Sequence, residues 1–101
     1  MPLFRYQFAA GALDRLTGHH VAWQMVLYVL TRGHPSVREH VGAAVLRVTA
    51  ADRHGDLLMV TLLETGEDDL YEILSARYLN AEESAAASYL LTPREDNRWP
   101  S

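Results

Sequence analysis

Apolar and polar positions alternate over Leu3-Phe4-Arg5-Tyr6-Gln7-Phe8, with aromatics at three of the six, which predicts a first strand. The period then lengthens. Between Ala9 and Thr17, Leu13 and Leu16 sit at helical spacing, and Gly18 supplies a stop. His19-His20 forms the joint. From Val21 to Arg32 the apolar positions Val21, Met25, Tyr28 and Val29 follow i, i+4, i+7 and i+8, and Trp23, Val26, Leu27 and Leu30 widen the stripe. This predicts a second, more hydrophobic helix, closed by Gly33 and His34-Pro35.

The middle of the chain changes period again. Val41 to Ala50 is β-branched and apolar, with Arg47 its only charge. A turn cluster, Ala51 to Asp56, leads to the near-continuous apolar run Leu57 to Thr65, which predicts a central strand buried on both faces. Gly66-Glu67-Asp68 turns the chain into a fourth strand, Asp69 to Ala76. Both turns are short, so strands two to four are expected to form an antiparallel meander. Asn80 is placed to cap a last helix, Ala81 to Leu91, with Glu83 at the capping-box position. The expected order is β-α-α-β-β-β-α: an α+β fold, a mostly antiparallel sheet with two helices on one face and a C-terminal helix beyond. Residues 1–91 read as one domain, and 92–101 as a polar, frayed or partner-ordered tail.

At 101 residues the chain has material for one modest core. Absence of cysteine excludes disulfides, thiolate metal sites and cysteine nucleophiles. No run approaches the roughly 18 apolar residues of a membrane span, and the N-terminus lacks a signal-peptide layout, so a cytoplasmic location and no membrane partner are expected. Net charge is −4, which argues against nucleic-acid binding by bulk attraction. All nine basic residues are arginine, however. Arginine forks match phosphate geometry, as lysine does not, but a codon bias toward arginine is the plainer explanation of the usage. No helical i, i+4 histidine pair exists, so no metal and no cofactor are expected. Nucleotide loops, the Gly-x-Ser-x-Gly elbow and the His-Glu-x-x-His helix are absent.

Three segments carry a resemblance. Leu16-Thr17-Gly18-His19-His20-Val21-Ala22-Trp23 is similar to the helix joint of BrnT-type toxins from bacterial toxin–antitoxin systems, with His19 on the family histidine and Trp23 on its aromatic. His20 stands where that family carries glycine. Gly55-Asp56-Leu57-Leu58-Met59-Val60 resembles the family's hairpin exit, and Ile73-Leu74-Ser75-Ala76-Arg77, with Glu83 six residues on, resembles its closing signature. The resemblance spans roughly residues 3–90. It implies a RelE-like ribonuclease fold, an RNA substrate received on the sheet, metal-independent attack of the ribose 2′-hydroxyl, and a cognate DNA-binding antitoxin. Homodimerisation is left open.

On that reading the catalytic candidates are Arg77, Arg47, His19 and Glu83, with Arg53, His54 and Tyr71 as substrate-binding candidates. Arg77 ends the fourth strand and either holds phosphate or pairs with Glu82 or Glu83. Arg47 shares a strand face with Val45 and Thr49, which is either a site or a solvated surface. His19 is a proton carrier or a helix-joint cap. Glu83 carries protons or favours the helix N-terminus. Tyr71, alternating onto the face of Ile73, Ser75 and Arg77, stacks on a base or packs at the rim. Asp56 and Glu72 occupy positions that are basic in the family; Arg53 and His54 lie in the turn beside Asp56, where they can substitute. These two acids keep a second function open, a catalytically inactive member of the fold that binds protein or nucleic acid. An unrelated α+β interaction protein is the third.

Overall fold

The computed structural model describes residues 5–91; the expectations for Leu3, Phe4 and the 92–101 tail lie outside them. Eight elements follow in order: β1 (Arg5–Phe8), α1 (Ala12–Gly18), α2 (Trp23–Arg32), β2 (Ser36–His40), β3 (Val45–Ala51), β4 (Leu57–Glu64), β5 (Leu70–Tyr78) and α3 (Ala81–Leu91). The strands form one mixed sheet in the order β1-β5-β4-β3-β2, with β1 parallel to β5 and the other pairs antiparallel. The fold is α+β, and the expected meander is present as β3-β4-β5.

The strand β2 corrects the expected order to β-α-α-β-β-β-β-α. Its sequence, Ser36-Val37-Arg38-Glu39-His40, carries a single large apolar residue and no buried one. An edge strand needs only its inner hydrogen bonds to β3, and charged residues on an edge discourage pairing with another chain. Such a strand leaves no hydrophobic period to read.

The core lies between the sheet and the first two helices. Leu16, Val21, Val26, Val29 and Leu30 meet three cross-strand rows: Leu46–Leu62–Ile73, Val48–Val60–Ala76, and Ala50–Leu58. Full burial of each leucine, isoleucine or valine contributes about 1.5–3 kcal/mol. The end of α2 approaches β3 so closely that a methyl group on Gly33 would lie 2.6 Å from the Val29 carbonyl oxygen and 2.7 Å from Ala50 Cβ.

Only one face of β4 is fully buried: Leu58, Val60 and Leu62 alternate with half-buried Leu57, Met59, Thr61 and Leu63. The apolar run suggested burial on both faces, but the second face is covered only in part, by α3. That helix begins with reciprocal hydrogen bonds, the Glu83 amide donating to Asn80 Oδ1 (2.8 Å) and the Asn80 amide to Glu83 Oε1 (3.0 Å). This is the expected capping box. No residue of α3 is fully buried.

A bulge in β5 decides which side chains reach the second face. Leu62 pairs with Ile73 and Thr61 with Ser75, so Leu74 is the extra residue. Tyr71 and Ile73 turn toward the core, while Ser75 and Arg77 turn away. The expectation that Tyr71 shares a face with Arg77 fails at this bulge. Tyr71 instead stacks on Tyr6, with ring centroids 5.9 Å apart.

Candidate functional site

Strand register assembles the site. On the second face, Glu39, Arg47, Thr61 and Ser75 form one row across β2, β3, β4 and β5, and Val37, Thr49, Met59 and Arg77 form the next. His19 reaches the same place from the sheet's side. The ladder between β1 and β5 ends where the Ala9 amide donates to the Ile73 carbonyl (3.0 Å), and α1 takes the edge beyond it. Arg15 fastens that arrangement, its Nε donating to the Leu74 carbonyl at the bulge (2.8 Å). The helix ends one turn later at His19, which caps it through its backbone amide.

His19, Arg47, Thr61, Ser75 and Arg77 thereby line one cleft of about 310 Å³. A second cleft of about 290 Å³ adjoins it beneath α3, with Arg47, Met59 and Arg77 lining both. The first is polar. The second is more apolar, walled by Val37, Met59, Ala87 and Leu90, with Glu39 among its lining residues.

The two arginines differ in state. Arg77 is engaged by Glu83 in a two-point ion pair, Nη1 to Oε1 at 2.8 Å and Nη2 to Oε2 at 2.7 Å. The Arg77 bond, followed by the Asn80 amide, pushes the Glu83 carboxyl down to about 2, and the same bond raises the guanidinium further. Glu83 is ionised at neutral pH and holds Arg77; it has little capacity to exchange protons there. Arg47 is the opposite case. Its Nε is buried and, among the described residues, has no hydrogen-bond partner. A buried donor left unpaired costs roughly 1–3 kcal/mol, so the Arg47 side chain gains from any adjustment that brings this donor an acceptor.

The remaining candidates lie elsewhere. Arg53 and His54 are exposed on the β3–β4 turn and line neither cleft. Tyr71 lies on the core side, as above. Asp56 borders a separate hollow with Tyr78 and Ser84, and Glu72 stands in register with Leu63; neither acid lines the arginine clefts. Among the described residues no cluster of three or more histidine, aspartate or glutamate side chains is placed to hold a metal ion. No helix among them is long and apolar enough to cross a membrane.

Sequence reasoning reached Arg47, Arg77, His19 and Glu83 but missed Thr61, Ser75 and Met59, whose relation to Arg47 depends on pairing register. It also missed Asp52. That carboxylate is buried beneath the β3–β4 turn and accepts from the Tyr78 hydroxyl (2.7 Å) and the backbone amides of His54 (2.8 Å) and Asp56 (3.0 Å). Burial pushes the Asp52 carboxyl up, but these hydrogen bonds outweigh it and the net shift is downward. Burial and the bond to Asp52 push Tyr78 up to about 12. An aspartate at the mouth of a turn was the available signal.

Comparison of the chain with protein-family models, with curated proteins and with solved structures finds no match in any of the three. Its class is therefore set by fold and site: a small α+β domain carrying an arginine-lined cleft on the second face of its sheet.

Proposed function

We propose that the chain is an RNA-cleaving toxin of the BrnT type, with a RelE-like fold, held silent in the cytoplasm by a DNA-binding antitoxin. One observation carries this reading: His19, Arg47 and Arg77, distant in sequence, line a single polar cleft with Thr61 and Ser75. Two further features support it. His20, at the family's glycine position, has φ 58°, a left-handed conformation that suits glycine. Arg77 and Glu83, the two charged members of the resembling signature, bond each other directly.

The chemistry asks little of the protein. The ribose 2′ oxygen bonds to phosphorus as the bond to the 5′ oxygen breaks; one proton leaves the 2′-hydroxyl and one arrives at the 5′ oxygen. Arg47, lining the cleft, supplies its positive charge to the phosphate, where charge grows in the transition state. Thr61 and Ser75 add hydroxyls. Arg77, once released from Glu83, makes a second charged contact, and His19, exposed at the cleft margin, moves a proton.

A binding-only member of the same fold is the second reading, favoured by the closure of both Arg77 Nη groups on Glu83. Induced expression separates the two. Growth arrest with RNA breakdown for the wild type, lost in Arg47→Ala and Arg77→Ala, is the expected result. Folded, harmless wild-type protein with intact RNA overturns the enzyme reading.

A further inference from the structure

We infer that the cleft beneath α3 is a base subsite, and that Glu39 gives it a preference for bases bearing adjacent N–H donors, guanine above all. The inference rests on the phosphate-binding reading of the neighbouring cleft and extends it to the identity of the bound nucleotide.

The two clefts differ in chemistry and meet at shared walls. The half toward β4 and β5 offers Thr61, Ser75, Arg77 and His19, a setting for an oxyanion. The half toward β2 and β3 offers the faces of Val37 and Met59 below and of Ala87 and Leu90 above. A flat apolar ring fits between a thioether and aliphatic side chains, and a volume of about 290 Å³ lies at the small end of ligand pockets, roughly 300–1,000 Å³. It suits one base taken out of its stack and not a paired helix. Arg47 lies between the halves, lining both, where a nucleotide's phosphate and base diverge.

Within the apolar half, Glu39 is the carboxylate available to a ligand. Glu83 also borders it, but its oxygens are taken by Arg77 and the Asn80 amide. Glu39 stands directly across from Arg47 in register, exposed and, among the described residues, without an ion-pair partner. A carboxylate accepts two parallel hydrogen bonds from the ring N–H and amino group of guanine, and uracil offers it no such pair. Glu39 would repel a phosphate placed beside it, which assigns the phosphate to the other half and sets the ligand's direction across the sheet.

The test is a titration of the full chain, followed by backbone amide NMR shifts, with guanosine 3′-monophosphate, uridine 3′-monophosphate and inorganic phosphate. Guanosine monophosphate is expected to bind about tenfold more tightly than inorganic phosphate, with uridine monophosphate between them. Glu39→Gln should cut the guanosine-over-uridine preference at least about threefold, and Ala87→Leu should lower both nucleotides to the level of inorganic phosphate. Ala87→Leu should leave phosphate binding unchanged, and Glu39→Gln should not weaken it. Nucleotides that bind no better than phosphate, with all binding lost in Arg47→Ala, overturn the base subsite and leave the proposed function standing. The subsite is also overturned if Glu39→Gln and Ala87→Leu leave nucleotide binding as in the wild type. Absence of any phosphate or nucleotide binding, or binding that survives Arg47→Ala, overturns both.

Discussion

Arg77 and Glu83 face each other across the junction of β5 and α3, each side chain using two atoms to hold the other. Glu83 at the same time closes the α3 capping box. One carboxylate therefore both starts the helix that lies over the cleft and occupies an arginine that lines it.

These two duties separate in Glu83→Gln. Glutamine serves a capping box as glutamate does, but lacks the charge that retains Arg77. Helix content by circular dichroism should be unchanged, while affinity for inorganic phosphate rises several-fold. Weaker phosphate binding would instead make Glu83 a positioning residue that Arg77 requires. Asn80→Ala, which removes the other half of the cap, should cost about 1 kcal/mol by urea denaturation.

The Asp52–Tyr78 bond predicts how stability depends on pH. Asp52 is held below its ordinary value and Glu83 at about 2, so both contributions are complete above the unfolded carboxyl range and fade as pH falls through the folded values. Tyr78 has the opposite sign. Its folded value of about 12 exceeds the unfolded value near 10, so its contribution is complete below pH 10 and is lost as pH rises toward 12. Urea midpoints should decline on both sides of a plateau, with an alkaline loss on the order of 2 kcal/mol at most. Tyr78→Phe should cost about 1–2 kcal/mol at neutral pH and flatten the alkaline limb. An unchanged alkaline limb in that variant would remove Tyr78 as its source.

His20 predicts a stabilising change. A left-handed backbone costs a residue with a β-carbon about 1–2 kcal/mol, and glycine returns part of this relief as unfolded-state entropy. His20→Gly should gain about 0.5–1 kcal/mol and raise Tm by several degrees. A fall in Tm would mean that the imidazole makes a contribution larger than its strain.

Gly33 predicts the reverse. An added methyl meets the Val29 backbone and Ala50 Cβ, neither of which can yield without moving α2 from β3. Gly33→Ala should cost about 1–3 kcal/mol in thermal or urea unfolding. Gly18→Ala, with nothing among the described residues within 4 Å of the new atom, should be neutral or gain a few tenths.

What was legible in the chain followed its periodicities. The stripe of α2, the meander and the Asn80–Glu83 cap were all expected, because each is a local pattern. The strand β2 escaped notice because an edge strand with Arg38, Glu39 and His40 needs no apolar alternation. Tyr71 was placed on the wrong face because a bulge at Leu74 shifts every later residue by one, and nothing at that residue announces an extra position. Among site residues, Arg47 was visible as a charge in an apolar strand. Thr61 and Ser75 became visible only with register, and the reach of His19 only with the short first strand that leaves the edge of β5 to α1.

The parallel pairing of β1 with β5 has a consequence for synthesis. Hairpins β2–β3, β3–β4 and β4–β5 join neighbours and can form as each strand emerges. The first strand has no such partner: its ladder begins at Leu70, after β2, β3 and β4. Until β5 is made, Tyr6 and Phe8 have no sheet to join, so β1 is placed only after the four strands that follow it in the chain.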